Sequence, residues 1–481
     1  MSSRTLFYNH LFQLPYSTEA TEAYRYFNTT SAYQDLDNMA PSIEQVVPES
    51  VVQTAEHIQE KLGAVSLGNS SEAKVEKQKP VEETPAVQAP AVEAAPAVQA
   101  PAVQAPAVEA PAAEVPAEES VKPAVVPAAS YIKAPLKLSG AIDSWKNFEV
   151  TPVIGREYAD VDLAAVLQAE NSDELLRDLA ITISQRGVVF FRAQDNLTDD
   201  LQKEVAQRLG ELSGKPETSK LHIHPVANAG REHGGKDDEI SVISSAQAKK
   251  IYIHSKSKLY SQGEKKQNGK IGWHSDITFE PIPSDYSILR LVELPSTGGD
   301  TLWASGYELY DRISEPYQKF LETLTATYAQ PGFNEAAERN GFKLFTEARG
   351  APENVGELLE AIHPVIRTNP VTGWKSVFAV GQHVAKVNGV TELESEALLA
   401  WFVRLLVDNH DLQVRHRWQN PNDLAIWDNR SVYHAATPDY LEGNYGERKG
   451  NRAVSLGERP YLDPASVSRK EALAAESAAS A

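Results

Sequence analysis

Residues 271–305 read IGWHSDITFEPIPSDYSILRLVELPSTGGDTLWAS, and the fold and the chemistry of the whole chain are read outward from them. His274 and Asp276 stand two residues apart, directly after Trp273, in a segment rich in β-forming residues. Side chains at i and i+2 on a strand share a face, so both can reach one ion. A second apolar run follows and leads into Gly298, Gly299, Asp300 and Thr301. The pair supplies half of a metal site, and the other half has to come from far along the chain.

Composition narrows which metal chemistry is open. The 481 residues contain no cysteine, which excludes disulfides, a thiolate nucleophile and Cys-ligated zinc or iron–sulfur clusters, and leaves imidazole and carboxylate as ligands. The two methionines, Met1 and Met39, are the only sulfur, so everything after residue 39 is sulfur-free. That is either drift beside an Ala/Pro-rich arm or the economy of a protein made when sulfur is scarce. With 66 acidic and 46 basic residues the formal charge is −20, so no nucleic-acid partner is expected, since phosphate binding needs clustered Lys and Arg. No run of 18 apolar residues exists, and the first twenty residues lack a basic segment followed by an apolar one. Neither a membrane span nor a secretory signal is therefore expected, and the expected location is cytoplasmic.

Four regions follow from composition. Residues 1–83 are polar and weakly patterned, mostly disordered, with one helix conceivable near 42–62 and an alternative start at Met39. Residues 84–130 repeat an Ala-Pro-Ala-Val-Gln/Glu theme, a semi-stiff polyproline-like linker. Residues 131–465 alternate strand and helix patterns, and residues 466–481 read as a disordered tail. Within the third region, residues 160–186 carry helical spacing up to Gly187, followed by a buried strand, Val188 to Phe191, and a second helix over 197–212. Helices are also expected within 306–327 and over 392–407. Residues 369–373 (NPVTG) read as a hairpin turn between strands at 362–368 and 374–380, with further strands at 411–418, 423–427 and 452–456. Many short strands with few parallel crossovers favour a mainly β fold with flanking helices, a jelly-roll core.

The third ligand is sought in AIWDNRSVYHAATPDY, which contains His434. Alone, an H-x-D pair arises by chance on surfaces, and a histidine among aromatics packs in cores. Together, His274, Asp276 and His434 form a two-His, one-carboxylate set, which covers one face of an octahedral Fe(II) and leaves three positions for substrates and oxygen.

The strings WHSDITF, LPSTGGDTLWAS and IWDNRSVYHAATPDY, followed by RAVSLGERP, resemble the taurine/2-oxoglutarate dioxygenase family of Fe(II)-dependent oxygenases, in the right order over roughly residues 148–462 and including LHIHPV. The resemblance implies a double-stranded β-helix, with His274, Asp276 and His434 as iron ligands and 2-oxoglutarate and O2 as cosubstrates. It assigns the distal carboxylate of 2-oxoglutarate to Arg448 and Thr301, and the substrate anion to His224 and Arg452. The loop 442–452 (EGNYGERKGNR) is about three residues longer than in the taurine enzymes, so the register rests on RAVSLG, and an insertion placed elsewhere would exchange the two arginines' duties. His222, pointing the other way from His224, reads as structural. Ala227, His383 and Lys270 replace the family's usual Tyr, Phe and Asn in the pocket wall, so the substrate need not be taurine, and the insertion 256–270 is expected to form part of a lid.

The activity implied is hydroxylation of the carbon next to sulfur in a small organosulfonate, coupled to conversion of 2-oxoglutarate to succinate and carbon dioxide, with release of an aldehyde and sulfite. A homo-oligomer is expected. Alkyl sulfates and aryloxyalkanoates remain open as substrates, as does a non-catalytic 2-oxoglutarate or anion sensor on the same fold. Sulfur scavenging would give the sulfur-free composition a purpose.

Overall fold

The computed structural model describes residues 134–226, 238–252, 269–441 and 444–480. The segment 1–83, the linker 84–130, Ala227 and the lid residues 256–268 lie outside these. The strands are β1 (Asn147–Glu149), β2 (Arg156–Tyr158), β3 (Val188–Phe191), β4 (Ile240–Ser244), β5 (Ser284–Glu293), β6 (Thr301–Ser305), β7 (Thr325–Ala329), β8 (Glu360–Pro364), β9 (Ile366–Thr368), β10 (Lys375–Val377), β11 (Val384–Asn388), β12 (Gln413–His416), β13 (Leu424–Asp428), β14 (Val432–Ala436) and β15 (Lys449–Leu456). A seven-stranded sheet runs β1-β2-β3-β13-β5-β15-β4, and three-stranded sheets run β12-β6-β14 and β11-β7-β8. β9 and β10 form the expected hairpin across residues 369–373. All pairings are antiparallel except β2 with β3.

Alternation along the strands decides which side chains reach the space between the two sheets. Val188 and Phe190 of β3, Leu289 and Leu291 of β5, and Ala425 and Trp427 of β13 face inward and pack with Trp303, Val414 and Val432 of the smaller sheet. The intervening residues Val189, Phe191, Ile288, Leu424 and Ile426 face outward under the helices Ser172–Arg186 and Asp199–Ser213. A sheet buried on both faces explains why β3 is apolar at every position and β13 at every position before its final Asp428. This is the jelly-roll, double-stranded β-helix architecture.

The helices on the outer face are α1 (Leu163–Gln168), α2 (Ser172–Arg186) and α3 (Asp199–Ser213). The region expected as one helix over 160–186 is divided between α1 and α2. Thr198 accepts from the Leu201 amide at the start of α3 and Gly214, at φ 91°, ends it. The remaining helices are α4 (Ser245–Tyr252), α5 (Gly306–Asp311), α6 (Glu315–Leu321), α7 (Pro331–Asn340), α8 (Glu392–Asp408) and α9 (Arg469–Ser480). α8 starts with a capping box between Thr391 and Glu394.

Two expectations are corrected. The end of the chain, read as a disordered tail over 466–481, carries α9, anchored by Arg469 to Glu308 at 2.8 Å and by Lys470 N to Asp311 at 3.1 Å. Its RKEALAAESAAS sequence is made of good helix formers. The His274–Asp276 segment is not a regular strand. His274 forms one isolated bridge with His434, and the chain then turns, with Ile277 at φ 62°. Gly272 also has positive φ, at 93°, and Pro281 and Pro283 cannot donate to a ladder, so no strand can extend through this stretch until β5.

Candidate active site

Pairing across the smaller sheet aims three groups into the space between the sheets. Thr301 and Trp303 lie at i and i+2 on β6, and His434 on β14 stands directly opposite Trp303. His434 is locked to His274 by two main-chain hydrogen bonds of 3.1 and 2.9 Å, so residues 160 apart in sequence face each other. Asp276 reaches the same point from the turn that follows. His274, Asp276 and His434 offer ligand atoms within 4.8 Å of one another, the only such group among the described residues.

The geometry fixes which atoms point inward. The Nε2 atoms of His274 and His434 each lie 3.8 Å from Asp276 Oδ1. His274 Nδ1 is 2.8 Å from Gly272 O, which can only accept, so the proton sits on Nδ1 and the Nε2 lone pair faces the carboxylate. His434 Nδ1 is buried without a hydrogen-bond partner among the described residues, and its ring packs on Trp427 at 4.8 Å. Burial pushes the pKa of both imidazoles below the usual histidine range, so both are neutral and able to ligate. Burial works against ionisation of Asp276 too, but the Arg452 guanidinium, and after it the Ser287 hydroxyl, hold the carboxyl well below its ordinary range. Two neutral imidazoles and one ionised carboxylate in a buried site fit a divalent transition metal.

Arg448 and Thr301 meet a short way off. Arg448 donates from Nε to Gly299 O at 2.9 Å and from Nη2 to Thr301 Oγ1 at 3.1 Å, and its side chain is buried. No carboxylate pairs with it among the described residues; Asp300, whose charge acts on it, is taken by Arg415 at 2.7 Å. Burial accordingly lowers the Arg448 pKa. Thr301 Oγ1 also accepts from Trp418 Nε1 at 3.1 Å. Both neighbours donate, so the threonine's own proton is directed to a third acceptor.

Arg452, on β15, stands opposite inward-facing Leu289 and donates to Asp276 Oδ1 at 2.6 Å. His224 is buried, takes the Val226 amide on Nδ1 at 3.1 Å and lies against Phe333 of α7, ring centroids 5.0 Å apart. Burial, then Arg452, drive its pKa well down. His383 is buried, with Nδ1 3.1 Å from Thr278 Oγ1 and its ring 5.3 Å from those of both His274 and Phe279; burial pushes its pKa to about 3. His224, His383 and Arg452 thus gather around Asp276, while Lys270 lies exposed on a turn. His222 stands behind His224, ring centroids 6.4 Å apart, and beside Glu280, which takes a buried two-pronged ion pair from Arg349.

A family described as "Taurine catabolism dioxygenase TauD, TfdA family" matches residues 146–454. The chain belongs to this family. It is 53% identical over 351 residues, 71% of this chain and 99% of the relative, to the alpha-ketoglutarate-dependent dioxygenase btcD of Neocamarosporium betae. It is 31% identical over 315 residues, 66% of this chain and 68% of the relative, to an alpha-ketoglutarate-dependent sulfonate dioxygenase of Saccharomyces cerevisiae. A crystal structure from Burkholderia xenovorans, 24% identical, superposes with a TM-score of 0.50 over 67% of this chain and 93% of that one, and shares the fold. Both relatives are named for their dependence on alpha-ketoglutarate, which is 2-oxoglutarate. No helix among the described residues is long and apolar enough to cross a membrane.

Sequence reasoning missed several groups that build the site: Ser287 and Asn429, which hold Asp276; Trp418, which orients Thr301; and the Glu280–Arg349 pair under the turn. Asn429 alone carried a signal, as a polar residue in a tight Asp-Asn-Arg turn between two apolar strands.

Proposed function

We propose that this family member is an Fe(II)- and 2-oxoglutarate-dependent dioxygenase that hydroxylates the carbon next to sulfur in an organosulfonate, releasing sulfite and an aldehyde. The observation that carries the cosubstrate is Arg448, a buried cation with no acidic partner among the described residues, joined to a threonine whose proton is left to give. Such a group is costly unless an anion completes it, and a guanidinium fork suits a carboxylate. His274, Asp276 and His434 would hold Fe(II), which together with 2-oxoglutarate and O2 would supply the oxidising power for a C–H bond.

The protein's own residues bind and aim. Arg452 supplies charge and His224 and His383 are neutral rings around it, an arrangement supporting capture of a small anion whose adjacent carbon then lies toward the metal ligands. Phe279 and Phe333, centroids 5.6 Å apart, wall the space beside His224 and His383 and exclude water from it. Insertion of one oxygen atom of O2 into the C–H bond next to sulfur gives a hydroxysulfonate that collapses to aldehyde and sulfite, while the second oxygen enters succinate as carbon dioxide leaves. The sulfonate named for the yeast relative supports this substrate class.

The test is a panel of alkyl sulfonates, alkyl sulfates and aryloxyalkanoates incubated with Fe(II), 2-oxoglutarate and oxygen. Sulfite from a sulfonate is the expected product; sulfate or a phenol in its place would assign the other substrate classes. Absence of succinate with every compound would favour the sensor reading.

A further inference from the structure

Resting on the metal-site reading above, the structure points to Asn429, in the turn between β13 and β14, as the positioning residue of that site. We propose that it acts through Ser287 to fix Asp276 as a ligand through Oδ1 alone.

The orientation of the Asn429 amide follows from its neighbours. Its Oδ1 receives the Asp276 main-chain N–H at 3.0 Å and the Trp427 indole N–H at 2.9 Å. Both groups can only donate, so the oxygen faces them and the Nδ2 group faces the opposite way. There Nδ2 donates one proton to Ser284 Oγ and the other to Ser287 Oγ, each at 2.9 Å. Ser287 has a single proton. With its oxygen taken by Asn429, that proton goes to Asp276 Oδ2 at 2.8 Å; the alternative, Ser284 Oγ, is 3.5 Å away.

The consequence is at the carboxylate. Oδ2 is held by a hydroxyl, and Oδ1, which also accepts from Arg452 Nη1 at 2.6 Å, is turned to the two imidazole Nε2 atoms, 3.8 Å from each. One amide thus holds Asp276 twice, by its main chain directly and by its carboxylate through Ser287. It also reaches the other half of the site, because the indole it accepts from packs on the His434 ring. Asn429, Ser287 and Trp427 are all fully buried, so no water competes for these bonds. Hydrogen bonds that orient metal ligands typically change metal affinity about 10- to 100-fold when removed.

The experiment titrates Mn(II) into the full-length protein by calorimetry and measures the unfolding midpoint of each metal-free variant alongside. Ser287→Ala is expected to bind Mn(II) about 10- to 100-fold more weakly, while Ser287→Thr, which keeps the hydroxyl, restores most of the affinity. Asn429→Ala is expected to lose at least as much as Ser287→Ala. The double variant should lose less than the product of the two single losses, because Ser287 acts under the direction of Asn429. Wild-type-like Mn(II) affinity in Ser287→Ala, where folding is least at risk, would overturn the proposal, as would losses that simply multiply. If wild type binds no Mn(II), or if Asp276→Ala binds it undiminished, the metal-site reading itself falls and this proposal with it.

Discussion

Replacing Arg448 by methionine separates a cosubstrate anchor from a structural strut, because the two roles predict opposite signs for two measurements. In the protein without ligands the guanidinium is buried, has no acidic partner among the described residues, and makes two hydrogen bonds, to Gly299 O and Thr301 Oγ1. Removing it forfeits the bond to Gly299 O, about 1 kcal/mol, and relieves the cost of burying an unpaired charge, so metal-free stability should be unchanged or raised. Against a bound carboxylate the same change removes one partner of a buried, hydrogen-bonded charge pair, worth about 2–5 kcal/mol. At about 1.4 kcal/mol per factor of ten, 2-oxoglutarate affinity falls roughly 30- to 3,000-fold. Arg448→Lys keeps the charge without the fork and should fall between. Calorimetric titration of 2-oxoglutarate into the Mn(II)-loaded protein under anaerobic conditions, with urea unfolding of the metal-free form, reads both quantities. Loss of stability by several kcal/mol with unchanged 2-oxoglutarate affinity would refute the assignment.

Three further outcomes are expected. Asp276→Ala abolishes turnover, and substrate-dependent succinate formation surviving in that variant would remove it from the ligand set. Burial pushes His363 and His416 to pKa values of about 3, so between that value and the ordinary 6.5 the unfolded chain binds protons that the folded one refuses. Stability is then full above pH 6.5 and falls as the pH drops toward 3, by up to about 1.4 kcal/mol per pH unit for each histidine; urea midpoints of the metal-free protein that are equal at pH 7.5 and 5 would contradict this. If the sulfur-free sequence after Met39 reflects sulfur scavenging, the protein's abundance rises when sulfate is withheld, and abundance indifferent to sulfate supply, followed by quantitative immunoblot, removes that argument.

The convergence of His274, Asp276 and His434 was legible because residue type and motif order carry it, and the jelly-roll core because short apolar runs recur between turns. The strand expected through His274 and Asp276 was not there. β-forming side chains were read at face value, while Gly272 and the two prolines, 281 and 283, decide the backbone. The helix α9 was hidden by an Ala-rich composition that also suits a tail; what commits it to the domain is Arg469 finding Glu308, a contact 161 residues apart. The supports of the site are of the same kind. Asn429 meets Asp276 across 153 residues and Arg349 meets Glu280 across 69, and pairings of that range leave no periodicity in the sequence to read. The duties expected of Arg448 and Arg452, cosubstrate and substrate anion, hinged on a register through a lengthened loop; the structure itself pairs Arg448 with Thr301 and Arg452 with Asp276.

The most direct test of the central claim is an anaerobic crystal structure of the full-length protein with Fe(II), 2-oxoglutarate and a sulfonate that yields sulfite. The account predicts iron on His274 Nε2, Asp276 Oδ1 and His434 Nε2, the distal carboxylate of 2-oxoglutarate on Arg448 and Thr301, and the sulfonate between Arg452 and His224. A carboxylate seated on Arg452 with Arg448 left unpaired, or iron bound through other side chains, would contradict it.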